Sequence, residues 1–307
     1  MTLAQYAYLR GEFLPLESAT ISIRTHAFLY GTAVFEGIKA YWLDQSGQMA
    51  IFRMADHYKR LLQSSRILHL RSPLSEAEMG NLTVEIIKRN QCQGATYIRP
   101  IIYKADLRIG PILQFPNTYD DFCLFTLPMD GYLDTEKGIH VGISSWRRLD
   151  DNAIPARAKV NGAYVNTALA KTDGHVCGYD DVVVLTNEGH VAEGSAMNLF
   201  LVRDGQLITS AITENILEGI TRSTIAELAT KELGLTVISR PIDRTELYIA
   251  DEAFFVGTAT EVAPILSFDR RPVGDGTVGR ITYQLRDLYS KVVHGLLPQY
   301  EHWLTRV

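Results

Sequence analysis

Across residues 181–210 four short apolar runs, at 181–186, 190–193, 198–203 and 206–210, follow one another with little between them but turn residues. Asn187-Glu188-Gly189 and Asp204-Gly205 supply the left-handed backbone that tight hairpin turns need, so the region reads as an antiparallel meander. Such a run leaves no chain for the crossover helix that parallel strands require. Elsewhere strands and helices mix without a regular βαβ period, which selects an α+β fold over a doubly wound parallel sheet.

The N-terminal part carries the same mixture. Short strands are expected at 6–14, 20–23, 37–41 and 49–53. A helix is expected over 55–68, where Leu61, Leu62, Ile67 and Leu68 fall near helical spacing, and another over 75–90, with Ser75 as N-cap and Met79, Leu82, Ile86 and Ile87 on one stripe. Buried strands follow at 95–104 and 121–127. Further on come a strand at 139–145, a loop at 150–155 and a short helix at 166–174. After the meander the pattern gives a helix over 221–233 closed by Gly234, strands near 236–239, 253–256 and 264–267, and a last helix over 281–296. A chain of 307 residues is longer than one hydrophobic core usually serves, so two domains are expected: 1–127, and a larger one over 138–307. The polar stretch PMDGYLDTEK at 128–137 reads as their connection.

Several function classes fall away. The net charge of −5 and the lack of a basic stripe interleaved with aromatics argue against nucleic acid as a partner. MTLAQYAYLRG at the N-terminus has neither the charged nor the apolar region of a secretory signal, and no run nears the roughly 18 apolar residues of a membrane span, so a cytoplasmic protein is expected. Cys92, Cys123 and Cys177 are far apart and form no CxxC pair; they are expected to be small buried hydrophobes, not zinc ligands or disulfide partners. GDGTVG at 274–279 matches GxGxxG, but a polar, proline-bearing stretch precedes it and too little chain follows for a dinucleotide-binding unit, so it reads as a turn before the last helix. GxxxxGK[ST], GxSxG and HExxH are absent and the histidines lack metal-ligand spacing, so no metal is expected.

Four stretches carry chemistry. ARAKVNGAYVN at 156–166 centres one lysine, Lys159, in a small, polar, glycine-broken setting. An amine in a tight pocket sheds hydration and stands neutral more easily, which lets it condense with an aldehyde. EGSAMNLF at 193–200 puts the carboxylate of Glu193 at a strand end. LEGITR at 217–222 opens a helix, whose outward amides suit a phosphate, and VGTATE at 256–261 adds hydroxyls beside a glycine. Taken singly, EGSAMNLF is explained by an ordinary β-turn and Gly219 to Thr221 by a capped turn. Amine, carboxylate and phosphate cradle together are what a pyridoxal phosphate enzyme asks of its protein.

On these runs the chain resembles the class IV aminotransferases, which are fold-type IV pyridoxal phosphate enzymes of the D-amino acid aminotransferase-like fold. Within that group THAFLYG at 25–31, VFEGI at 34–38 and YIRP at 97–100 are most similar to branched-chain amino-acid aminotransferases. The resemblance implies two mixed α/β domains with pyridoxal 5′-phosphate at their interface, and at least a homodimer. It implies transfer of the amino group of leucine, isoleucine or valine to 2-oxoglutarate. Lys159 would carry the cofactor and move the proton between substrate Cα and cofactor C4′, while Glu193 would hold the ring nitrogen protonated. Tyr164 would bond the ring's phenolic oxygen. Arg60, Ile220, Thr221 and Thr258 would bind the phosphate, with Leu217 and Gly219 also against the cofactor. Tyr97, Thr258 and Ala259 would surround the α-carboxylate, Arg99 would meet the second carboxylate of glutamate, and Tyr30 of a partner chain with Phe35, Tyr132 and Tyr164 would wall the aliphatic pocket. The competing Lys171, on a helix face, reads as a solvated surface lysine.

The stretch IIYKADLRIGP at 101–111 departs from the pattern, with Lys104 and Arg108 unexpected, and so does Met129. Arg108 is therefore a candidate for a substrate carboxylate or simply an exposed charge. The altered loop keeps open transamination of R-amines or D-amino acids; a lyase of the aminodeoxychorismate type would share the fold and cofactor, although YIRP favours transamination. A noncatalytic binding protein on the same scaffold is the reading from outside enzymology.

Overall fold

The computed structural model describes residues 6–114, 116–129 and 137–307. They fall into two compact units: Met1–Asp130 with Ala158–Ala163 and Val292–Val307, and Gly131–Arg157 with Tyr164–Lys291. A C-terminal domain unbroken over 138–307 does not match this division. Val160 bridges Val34, and the strand Leu304–Arg306 pairs with 50–52, so both returning segments complete the first unit's sheet.

In that first unit the strands are β1 (Tyr6–Leu9), β2 (Glu12–Pro15), β3 (Ala33–Phe35), β4 (Ile38–Leu43), β5 (Gln48–Phe52), β6 (Thr96–Lys104) and β7 (Asp120–Pro128). With the C-terminal strand they form an eight-stranded sheet in the order C-terminal strand, β5, β4, β6, β7, β1, β2, with β3 also on β6. All its pairings are antiparallel. Helices α1 (His26–Tyr30), α2 (Met54–Ile67) and α3 (Glu76–Arg89) complete the unit. Ser75 caps α3 as the sequence requires: its Oγ accepts Glu78 N at 3.3 Å and its N donates to Glu78 Oε2 at 2.7 Å. Ile38, Ile51, Leu61, Met79, Ile98 and Phe122 are fully buried in this unit.

Two strand expectations fail here. The run 6–14 is a hairpin, because Arg10 and Gly11 take positive φ of 53° and 86° and turn the chain. The run 20–23 is not a strand; Ile21 and Ile23 are exposed, so its alternation has no face to bury.

The second unit holds β8 (Ile139–Arg147), α4 (Tyr164–Val176), β9 (Asp181–Leu185), β10 (Val191–Gly194), β11 (Asn198–Arg203), β12 (Gln206–Ser210), α5 (Ile220–Leu233), β13 (Val237–Arg240), β14 (Glu252–Gly257), β15 (Glu261–Phe268), the two-residue β16 (Arg271–Pro272) and the start of α6 (Arg280–Val293). The sheet order is β10, β9, β8, β15, β14, β11, β12, β13, with β16 on β15. β8 runs parallel to β9 and β15, and β12 to β13, so the sheet is mixed. The expected meander is two hairpins instead. β11 takes β14 as its second neighbour, in the register Asn198 opposite Val256, and its apolar residues on both faces fit such a central place. Gly234 ends α5 in the left-handed conformation, at φ 64°.

The cysteines are free, but Cys92 and Cys123 are only half-buried and Cys177 is exposed, against the expectation of burial. Among the described residues no helix is long and apolar enough to cross a membrane.

Candidate active site

The first unit gathers Lys159, Phe35, Tyr97 and Arg99. Lys159 is pinned through its backbone: its N donates to Ser64 Oγ of α2 at 3.2 Å, and its carbonyl accepts Phe35 N at 3.0 Å. Its ammonium lies 5.0 Å from the centre of the Phe35 ring. On the same ring sits the Arg99 guanidinium, at 4.2 Å, whose Nη2 donates to Tyr97 Oη at 2.7 Å. Arg99 Nε is buried and has no hydrogen-bond partner among the described residues. Gly37 makes room for this arrangement, because a Cβ there would stand 2.3 Å from the Tyr97 hydroxyl. Gly31, at φ 68°, plays the same part for the lysine segment: a side chain on it would come within 2.7 Å of Gly162 Cα.

Arg60 is not a solvated helix residue. It is buried on α2, its Nε and Nη2 donating to Glu36 at 2.7 and 2.8 Å, and His57 Nδ1 meets the same carboxylate at 2.7 Å. Burial by itself would raise Glu36, but the Arg60 charge beside it and the bond from His57 hold its carboxyl far below the usual range. Burial likewise keeps His57 below its ordinary value.

The departing loop keeps its cations for itself. Lys104 is fully buried and pairs with Asp120 at 2.7 Å, while Asp120 Oδ2 accepts Arg71 N at 2.8 Å. Arg108 is exposed, and its guanidinium lies on both oxygens of Asp106, with Nε to Oδ1 at 2.9 Å. Any substrate carboxylate would have to compete with Asp106 for it. Tyr30 is partly exposed and accepts Gly110 N at 3.0 Å. Tyr132 lies outside the described residues.

The second unit supplies the other set. Glu193, at the end of β10 and 3% exposed, accepts Asn198 Nδ2 at 2.9 Å and Leu217 N at 3.3 Å on Oε2, and meets Arg148 Nη2 at 2.8 Å on Oε1. Asn198 Nδ2 also donates to Leu217 O at 3.0 Å, so the carboxylate is tied to the loop that leads into α5. Three residues on, α5 begins at Ile220 with no side-chain cap and no acidic residue in its first turn. A Cβ on Gly219 would fall 1.9 Å from Asn198 Oδ1, so the approach is closed to any larger residue. Arg222 anchors the helix start, its Nε donating to Thr209 Oγ1 at 3.2 Å and Nη2 to Ser210 O at 3.1 Å. The Asn198–Val256 register carries half-buried Thr258 and Ala259 to the same end of the sheet as Asn198. Tyr164 opens α4, and one turn later Thr167 Oγ1 donates to Ser195 O at 3.0 Å. Lys171 on this helix is not merely solvated: it pairs with buried Asp181 at 2.9 Å.

A buried carboxylate joined by two residues to an open helix N-terminus fits a small molecule that bears a cationic ring nitrogen and a phosphate, as pyridoxal phosphate does. Two residues of this arrangement were not singled out from sequence. Arg148 follows β8 without any local signal, and Asn198 stood only as a letter within EGSAMNLF.

Comparison with known proteins agrees with this chemistry. Residues 33–268 match the family model for amino-transferase class IV. A probable branched-chain-amino-acid aminotransferase of Aquifex aeolicus is 45% identical over 302 residues, covering 98% of this chain and 96% of the relative. Among solved structures, the branched-chain aminotransferase of the archaeon Thermoproteus uzoniensis with norvaline superposes with a TM-score of 0.93 at 36% identity, covering 98% of this chain and 99% of the other. The Thermobaculum terrenum branched-chain amino acid aminotransferase in its PLP form gives 0.94 at 37% identity, covering 100% of this chain and 99% of the other.

Proposed function

The chain belongs to the class IV aminotransferases, and from that premise we propose that it moves the amino group of leucine, isoleucine and valine to 2-oxoglutarate, giving 2-oxo acids and L-glutamate. Its cofactor is pyridoxal 5′-phosphate. When bound, this group supplies an aldehyde that takes up the amine and a cationic ring that withdraws electrons from the substrate Cα.

The chain's own residues do the rest. Lys159 holds the cofactor and carries the proton to and from the substrate Cα. Glu193 keeps a proton on the ring nitrogen. Ile220 and Thr221, at the open start of α5, bind the phosphate with Arg60 and Thr258, while Leu217 and Gly219 border the cofactor and Tyr164 bonds its phenolic oxygen. Tyr97, Thr258 and Ala259 take the α-carboxylate. The observation that carries the substrate reading is the Arg99 guanidinium 4.2 Å from the centre of the Phe35 ring, with a buried Nε that has no hydrogen-bond partner among the described residues. One spot thus offers an apolar face for an aliphatic side chain and a donor for the second carboxylate of glutamate.

The test is a mixture of leucine, 2-oxoglutarate and the cofactor-loaded protein. Glutamate and 4-methyl-2-oxopentanoate should form together, and borohydride should fix the cofactor on Lys159. Absence of glutamate would sink the proposal. The altered loop no longer favours R-amines or D-amino acids, since Asp106 and Asp120 engage its two cations; D-alanine and (R)-1-phenylethylamine should be poor donors.

A second copy of this chain is the partner its surface suits. Ile23 is 78%, Phe28 67% and Ile109 79% exposed, and Gly110, whose N donates to Tyr30 Oη and whose O meets His26 Nε2, holds the loop that bears Ile109 to α1, which bears Phe28. In this reading the protein works in the cytoplasm as a homodimer or larger homo-oligomer.

A further inference from the structure

The Glu193 carboxylate is held by donors from three separate segments of the second unit, and one of them is charged. Asn198 and Leu217 address Oε2, and Arg148 alone among these three addresses Oε1, at 2.8 Å. The two side chains are 13% and 4% exposed, so little water compensates either charge. Arg148 is itself fixed at two points: its N donates to Leu185 O at 2.8 Å, at the end of β9, and its Nε to Asn215 O at 2.9 Å. Asn215 takes a positive φ of 55° and is braced by Asp150, whose Oδ1 accepts its Nδ2 at 3.2 Å. A chain of contacts therefore runs from the loop at Asp150 through Asn215 and Arg148 to the carboxylate.

We infer that Arg148 is a positioning residue for transamination, fixing the plane of the Glu193 carboxylate and balancing its charge in the buried site. The inference rests on the role proposed for Glu193 on the ring nitrogen. With one oxygen assigned to Arg148 and the other to Asn198 and Leu217, the carboxylate cannot rotate without breaking a bond on each side. Replacing Arg148 with a neutral side chain removes the charged donor from Oε1 and leaves the buried carboxylate with less to balance its charge. It then takes up a proton or turns, and either change weakens its hold on the ring.

The test compares Arg148→Met, Arg148→Lys, Glu193→Gln and the double variant Arg148→Met/Glu193→Gln with the wild type. The readouts are the dissociation constant for pyridoxal 5′-phosphate, measured by titration of its absorbance, and kcat and KM with leucine. Arg148→Met should weaken cofactor binding and lower kcat, each by about tenfold or more, with KM for leucine little changed. Arg148→Lys should restore part of both. In the Glu193→Gln background, Arg148→Met should add less than about twofold, because the group it serves is already gone. Equal losses in both backgrounds would show a general structural role and overturn the inference, as would wild-type behaviour of Arg148→Met. If the wild type itself neither binds the cofactor nor transaminates, the proposed function falls and this inference with it. An active wild type with additive variants removes the inference alone.

Discussion

Arg60 grips both oxygens of Glu36, Nε on Oε1 at 2.7 Å and Nη2 on Oε2 at 2.8 Å, where Glu36 has no exposure at all. The pair joins α2 to the residue that follows Phe35, so it sets the geometry of the wall on which Lys159 and Arg99 rest.

Removing one member strands a buried charge. Glu36→Ala should cost about 3–5 kcal/mol of stability, read from chemical denaturation of the apoprotein. Glu36→Leu combined with Arg60→Met should recover most of that loss while cofactor affinity stays low. A Glu36→Ala protein as stable as the wild type would refute the account of the pair.

Acid should reveal the same residue. The folded carboxyl sits below its ordinary value of 4.5, so its contribution to stability is complete above that pH and drains away as pH falls through and below it. The stability gap between wild type and Glu36→Gln should therefore be widest near neutrality and narrow below pH 4.5. Thermal melts from pH 7 to 3 measure it, and a constant gap contradicts the assignment.

Arg99 should govern the dicarboxylate half of the reaction. Arg99→Gln is expected to raise KM for 2-oxoglutarate by roughly ten- to a hundredfold, the worth of a charge-assisted bond, and to change KM for leucine much less. Steady-state kinetics with each substrate varied in turn decides it; equal effects on both would place Arg99 elsewhere.

Gly219 has no room for even a methyl group against Asn198. Gly219→Ala should overpack the approach to α5 at a cost of about 1–3 kcal/mol, appearing as cofactor affinity lowered about tenfold or more. Unchanged titration of pyridoxal 5′-phosphate into the variant would count against a cradle at this helix start.

The apolar face around Ile109 invites a charge. Ile109→Asp should weaken self-association by at least roughly a hundredfold, since a buried unpaired carboxylate costs several kcal/mol. Sedimentation velocity over a dilution series reads the outcome, and an undiminished dimer would mean that this face is not the contact.

Much of the local architecture was legible in the chain. Ser75 and Glu78 announce the start of α3, Gly234 ends α5, and Gly189 and Gly205 make the hairpin turns, because each effect acts within a few residues of its cause. The motifs around Lys159 and Glu193 declared themselves in the same way. Alternation alone misled at 20–23, where apolar residues stand exposed, and at 6–14, where Arg10 adopts the left-handed conformation that its side chain gives no reason to expect.

By itself, then, the sequence determined the turns, the caps and most strands and helices, and it singled out the amine and the carboxylate on which the proposed function rests. Tertiary structure decided the neighbours of each charge: Arg60 on Glu36, Lys104 on Asp120, Arg108 on Asp106 and Arg148 on Glu193. Apart from Arg108, these partners stand many positions apart in the chain, on separate segments, so no period in the sequence records them. A buried ion is tolerated only where the folded chain delivers its counter-charge, and that delivery depends on sheet order and register.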